Sequence, residues 1–293
     1  MNIIHGKIKK ISLMALIAAF MIPVSANGQV ASASELSSAT ENLSASTNQL
    51  IEAKDGAGEN ALSEEEDIAY RKKVVSDALA LSFKEIESAR AKLGSIKLDE
   101  ESDLGKIKKA ILDWLDTQEK YFREAEGKLS SEGLDLEGVK NLAKDIKAHR
   151  DESYNEDLGN ALNFILSLET SKLADTASDR WDKIASDLQK IEKAGLIKKD
   201  LFAAEMAEAK KMIDGARALV GRSFAIAKDI YLPAPEEEGA AEEAQAVSDT
   251  ASVAAEEIPS ARDLCEAAIV NLKSGYGEFV KISASVKKLL KLP

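Results

Sequence analysis

Three ionisable residues are spaced as metal ligands on a helix would be: Asp145, His149 and Glu152 stand at i, i+4 and i+7, on one helical face. A transition-metal site, however, draws on imidazole or thiolate, and the chain holds two histidines, His5 and His149, and one cysteine, Cys265. A di-iron bundle needs two Glu-x-x-His segments, and zinc sites use two histidines or several cysteines. Neither set can be assembled, so the trio reads as a solvated charged face and no metal or other cofactor is expected.

Nucleophilic chemistry meets the same shortage. No serine sits in a Gly-x-Ser-x-Gly elbow, no phosphate-cradling glycine loop is present, and Cys265 has no histidine near it in sequence. Between Leu264 and Ala268, Cys265 reads as a small buried residue, and being single it cannot close an internal disulfide. The acidic runs Glu64–Asp67 and Asp99–Asp103 lack the glycine and terminal glutamate of a calcium-binding EF-hand loop and sit where helix starts favour negative charge. Trp114, Tyr121, Phe164 and Trp181 lie on or beside apolar stripes, which makes them core residues rather than sugar or base platforms. No catalytic residue is nominated, and a non-enzymatic protein is expected.

One surface motif remains. Lys287, Lys288, Leu289, Leu290 and Lys291 alternate charge with leucine near the C-terminus, as an amphipathic helix on an anionic membrane does. The competing reading, preferred on sequence, has Leu289 and its neighbours packing back on the helical body while the lysines pair with its acids. Residues 260–293 carry six bases against three acids, whereas the whole chain has a net charge of -12. Such a polyanion repels nucleic acid and anionic lipid at long range, so non-specific binding to either is disfavoured and no nucleic acid is expected as a partner.

The elements that must position these residues are helical. Aromatics make up 5% of the chain and hydrophobic residues 45%, so Ala, Leu, Ile and Val supply the core, a composition that favours helices. Ser63 and Glu66 form a capping box ahead of the stripe Ile68, Val75, Leu79, Ile86, Ala89 and Leu93, which Gly94 can end. A second helix starts near Asp99 and carries Leu104, Ile107, Ile111, Trp114, Tyr121 and Ala125. Asp135 caps Val139, Leu142 and Ile146; the polar run His149–Asp157 then interrupts the stripe, which resumes in a new phase at Leu158. Residues 135–194 are therefore either one kinked helix or two, closed by Gly195. Another helix runs from about Asp200 to Tyr231 with a stripe from Phe202 to Ile230, and Ser260 with Asp263 caps the last.

The expected fold is all-α: an elongated, coiled-coil-like antiparallel helical bundle with a flexible N-terminal lead and an acidic linker before the last helix. Residues 1–26 read as a signal peptide, with Lys7, Lys9 and Lys10 preceding the apolar run Ile11–Ile22 and cleavage after Ala26 or after Ala33; retention as an anchor is the competing reading. Residues 27–62 form a flexible or weakly helical lead, 63–232 the bundle, 233–259 a disordered acidic linker, and 260–293 a basic amphipathic helix packing back on the bundle. The expected function is a structural, adaptor or protein-interaction role in the cell envelope, secreted or periplasmic, with protein partners, weak membrane-surface contact through the last helix, and self-association also open. The alternative is an extracytoplasmic carrier or holdase that takes an apolar ligand or unfolded client into a bundle groove.

Overall fold

The structure, a computed structural model, describes residues 33–56, 62–232 and 259–290. The leader 1–26, most of the acidic segment 233–259, and Lys291 lie outside the described residues. Among the described residues the fold is all-α, without a strand: α1 (Ala33–Gly56), α2 (Glu64–Ser95), α3 (Asp103–Leu129), α4 (Leu136–His149), a π-helical turn (Arg150–Tyr154), α5 (Asn155–Lys193), α6 (Ala203–Tyr231) and α7 (Ala261–Leu290).

Local chemistry sets most of the ends. Ser63 Oγ accepts from the Glu66 N–H while the Glu66 carboxylate accepts from the Ser63 N–H, so both open donors are satisfied at the start of α2. Asp135 caps α4 through the Gly138 N–H at 2.7 Å, and Ser260 with Asp263 repeats the reciprocal box before α7. At the end of α5, Gly195 takes φ 69°, which lets the Leu196 N–H reach the Ile191 carbonyl at 3.1 Å and close the helix.

Two expected ends move. Gly94 stays helical and α2 runs through to Ser95, where Ile96 turns extended, because nothing at Gly94 demands a left-handed backbone. The second helix starts at Asp103 instead of Asp99: Asp99 accepts from the Glu101 N–H in a tight turn, and Ser102 Oγ accepts from the Gly105 N–H. A Cβ on Gly105 would lie 2.0 Å from the Asp99 carbonyl oxygen, so this turn closes only over a glycine.

The helices group into two compact units. Unit 1 combines the described residues up to Lys97 with Ile111–Asp157, and unit 2 combines Leu98–Ala110 with the described residues from Leu158 onward. In unit 1, α1 runs antiparallel to α2, with Lys54 bridged to Asp67 at 3.7 Å. Leu36, Leu43 and Leu50 are half-buried and Ser46 is buried, so the seven-residue leucine spacing forms a regular 24-residue helix. Arg90 of α2 binds Asp116 and Glu119 of α3 at 2.6 and 2.8 Å. The buried seam of α3 within this unit is Ile111, Leu115, Gln118, Phe122, Ala125 and Leu129, and Trp114 and Tyr121 stand at its edge. The sequence stripe shares Ile111 and Ala125 with this seam and departs from it at Trp114 and Tyr121: aromatic side chains are long enough to cover a seam from beside it, which makes edge and centre alike in a pattern of residue types.

In unit 2, α5, α6 and α7 lie side by side. Asp175 pairs with Arg217 and Trp181 Nε1 donates to the Met206 carbonyl, which orients α5 and α6 antiparallel. Ala209, Ile213, Ala216 and Val220 of α6 meet Ala268, Leu272 and Phe279 of α7, along with Ala174 and Ala177 of α5. Alanines at these positions let the backbones approach closely, so dispersion contacts along the seam are dense.

Candidate functional site

The buried polar chemistry of unit 1 gathers at the π-helical turn. A regular α-helix would carry Tyr154 about 80° away from Ile146, eight positions earlier. One residue of π-turn restores it to within about 20° of that face. The Asn155 N–H accordingly bonds back to the Arg150 carbonyl, five residues earlier, and α4 passes into α5 without a break. The polar run thus neither ends the helix nor leaves it to solvent on all sides: Tyr154 is fully buried.

Arg150 reaches into α2. Its guanidinium makes a two-pronged pair with Glu85, Nη1 to Oε2 at 3.1 Å and Nη2 to Oε1 at 3.3 Å, and Nη1 also donates to Ser82 Oγ. Tyr154 donates its hydroxyl proton to Glu85 Oε2 at 3.2 Å, and the Arg150 guanidinium carbon stands 5.0 Å from the centre of the Tyr154 ring. Trp114 stacks on Tyr154 at 5.8 Å and Phe122 meets it edge-on at 5.1 Å. Burial, and then the Glu85 charge, push the Tyr154 hydroxyl far above the ordinary tyrosine range, so it serves only as a donor.

His149 completes the cluster. Its ring lies 3.8 Å from that of Tyr121, and Nε2 is 2.7 Å from Gln118 Oε1, which makes Nε2 the protonated nitrogen against that oxygen. Burial, followed by the adjacent Arg150, holds the imidazole below the ordinary histidine value. Because the unfolded chain then binds a proton more readily, this group's contribution to stability is present at and above neutral pH and falls as pH drops below about 6.5 toward the folded value. Thermal melts between pH 7.5 and 5.5 should therefore show a steeper loss of unit 1 stability in the wild type than in His149→Gln, which does not titrate; parallel profiles would refute the assignment.

The trio Asp145, His149 and Glu152 does not converge: the imidazole turns to Gln118, while Asp145 and Glu152 are exposed. Among the described residues no group of three or more His, Cys, Asp or Glu side chains is placed to hold a metal ion. Sequence reading missed Ser82, Glu85 and Gln118 as partners. Their signal was there, as polar residues standing where apolar ones recur, Ser82 and Glu85 between Leu79, Ile86 and Ala89, and Gln118 between Leu115 and Phe122.

Unit 2 has its own internal polar knot. Ser167 Oγ and Ser223 Oγ are 2.5 Å apart, Cys265 Sγ lies 3.3 Å from the first and 3.5 Å from the second, and all three residues are buried. Cys265 is thus the buried residue its neighbours indicated. Two small cavities open in this unit, of about 160 Å³ beside Trp181, Phe202 and Met206, and about 120 Å³ beside Phe164, Ile226 and Ala261.

Of the C-terminal motif, Lys287, Lys288 and Leu289 are exposed, and Leu289 keeps 53% of its surface. Leu290 ends α7, and Lys291 lies beyond the described residues. The helix does pack back on α6 through Leu264, Ala268, Leu272, Phe279 and Ile282. Its last described turn does not take part, because the buried stripe stops at Ile282, with Val286 only partly covered. No protein-family model matches this chain, and neither the curated proteins nor the solved structures contain a significant match.

Proposed function

We propose that this is an exported, non-enzymatic helical protein that serves as a structural or adaptor component of the cell envelope through the outer faces of its helices. The observation that carries the reading is the closure of its polar chemistry. Glu85, Arg150, Tyr154 and Ser82 saturate one another, as do Ser167, Ser223 and Cys265, so the reactive side chains are spent on holding helices together. A catalytic or carrier site instead gathers polar groups around an open, ligand-sized pocket of about 300–1,000 Å³. The carrier alternative draws on the apolar notch at Trp181, Phe202 and Met206, and its volume of about 160 Å³ favours the adaptor reading.

Export rests on the basic and apolar leader of residues 1–26, and no helix among the described residues is long and apolar enough to cross a membrane. Fractionation followed by N-terminal sequencing should recover the chain outside the cytoplasm, beginning at Asn27 or Ser34. An intact N-terminus on cytoplasmic protein would overturn export. Crosslinking in intact envelopes should yield one stoichiometric protein adduct, and saturable uptake of an apolar dye that a client displaces would favour the carrier instead.

A further inference from the structure

We propose that one end of unit 2 is a docking surface for an anionic lipid bilayer, formed jointly by the loop between α5 and α6 and the last turns of α7. Ile197 is the pin that brings the two segments together: it is buried among Leu188, Phe202, Met206 and Ile282, with Ile191 and Val286 packed against the same cluster. On either side of this buried residue the loop turns outward, leaving Leu196 59% and Leu201 41% exposed, with Lys198 and Lys199 exposed between them. Lys287, Lys288 and Leu289 follow directly on Val286 and are exposed as well. Two segments remote in sequence therefore present the same alternation of leucine and lysine from one packed cluster.

The charge balance at this end opposes that of the chain. Across 187–200 and 282–289 there are six lysines and three acids, in a protein whose net charge is -12. Of the acids, Asp187 is paired with Lys190 at 2.9 Å, and the Glu192 carboxylate accepts from the Asp200 N–H at 3.0 Å. Lys193, Lys198, Lys199, Lys287 and Lys288 enter no ion pair among the described residues. Lysine alone would suit any polyanion, protein or polymer. The leucines select lipid, because they gain by entering the boundary between headgroup and acyl chain while the lysine stems lie flat and leave their ammonium groups at the phosphates.

The inference goes beyond the adaptor reading and needs neither export nor a protein partner, so its failure leaves the fractionation result untouched. Hydrogen–deuterium exchange on the full chain tests it locally, with vesicles of phosphatidylcholine alone or mixed with phosphatidylglycerol. Peptides covering 194–202 and 284–290 should exchange about tenfold more slowly with the anionic vesicles, and this protection should vanish at high salt. It should also be lost in Leu196→Ser/Leu201→Ser and in Lys198→Gln/Lys199→Gln, variants of exposed residues whose helical circular dichroism stays that of the wild type. Unchanged exchange in these peptides, equal protection by the neutral vesicles, or equal protection by soluble polyglutamate would each overturn the assignment, the last in favour of an acidic polymer or protein.

Discussion

Replacing Glu85 with alanine should destabilise unit 1 by about 3–5 kcal/mol, the cost of leaving a buried guanidinium without its carboxylate. The Glu85 and Arg150 side chains are only 8% and 14% exposed, and among the described residues Arg150 pairs with no second carboxylate, so the orphaned charge must either break the helix packing to reach water or remain desolvated. Tyr154 loses its carboxylate acceptor in the same step and keeps only the longer bond to the Ser82 carbonyl at 3.4 Å. Glu85→Gln, which keeps an acceptor for Tyr154 but removes the charge, should fall between the two. Removing the whole set together, as Glu85→Leu/Arg150→Met/Tyr154→Phe, should cost less than Glu85→Ala alone, because no partner is then stranded.

The two tryptophans make this measurable unit by unit, since Trp114 lies in unit 1 and Trp181 in unit 2. Urea titration followed by fluorescence in a Trp181→Phe background reports unit 1, and the shift in midpoint gives the loss. Asp116→Ala provides the contrast. Asp116 is 70% exposed, and Arg90 keeps Glu119, so this change should stay below about 1 kcal/mol. Equal effects from Glu85→Ala and Asp116→Ala would mean that the cluster is no more than a surface ion pair.

Phe279→Ala should have an effect of similar size in unit 2, about 3–5 kcal/mol. The seam between α6 and α7 is built largely from small residues, Ala209, Ala216, Ala268 and Gly275, so much of its apolar area comes from a few large side chains. Phe279 is 5% exposed, packs into that cluster and meets the Tyr276 ring edge-on at 5.7 Å. Truncation leaves a cavity that alanine neighbours cannot fill by rotating. With Trp114→Phe, the remaining Trp181, which packs against the same cluster, reports the transition. Val280, adjacent in sequence and 68% exposed, should tolerate alanine within about 0.5 kcal/mol. If both substitutions behave alike, α7 does not contribute its Phe279 face to the core.

Interactions that act within about one turn of chain are legible in residue types alone. The capping box at Ser63 and Glu66, the Asp135 cap, the box at Ser260 and Asp263 and the glycine stop at Gly195 are contacts between residues at most five apart, so residue type and spacing contain them completely. The same holds for helical character, since the apolar period of three and four is itself the signal. Partner choice belonged to the tertiary structure. Apolar area carries no address, and one leucine stripe can bury itself against any other. Only the folded arrangement therefore decided that Arg150 lies against Glu85, sixty-five residues away, that the polar run at 149–157 contains a π-turn which aims Tyr154 inward, and that Ile197 seats the lysine- and leucine-bearing loop beside the end of α7.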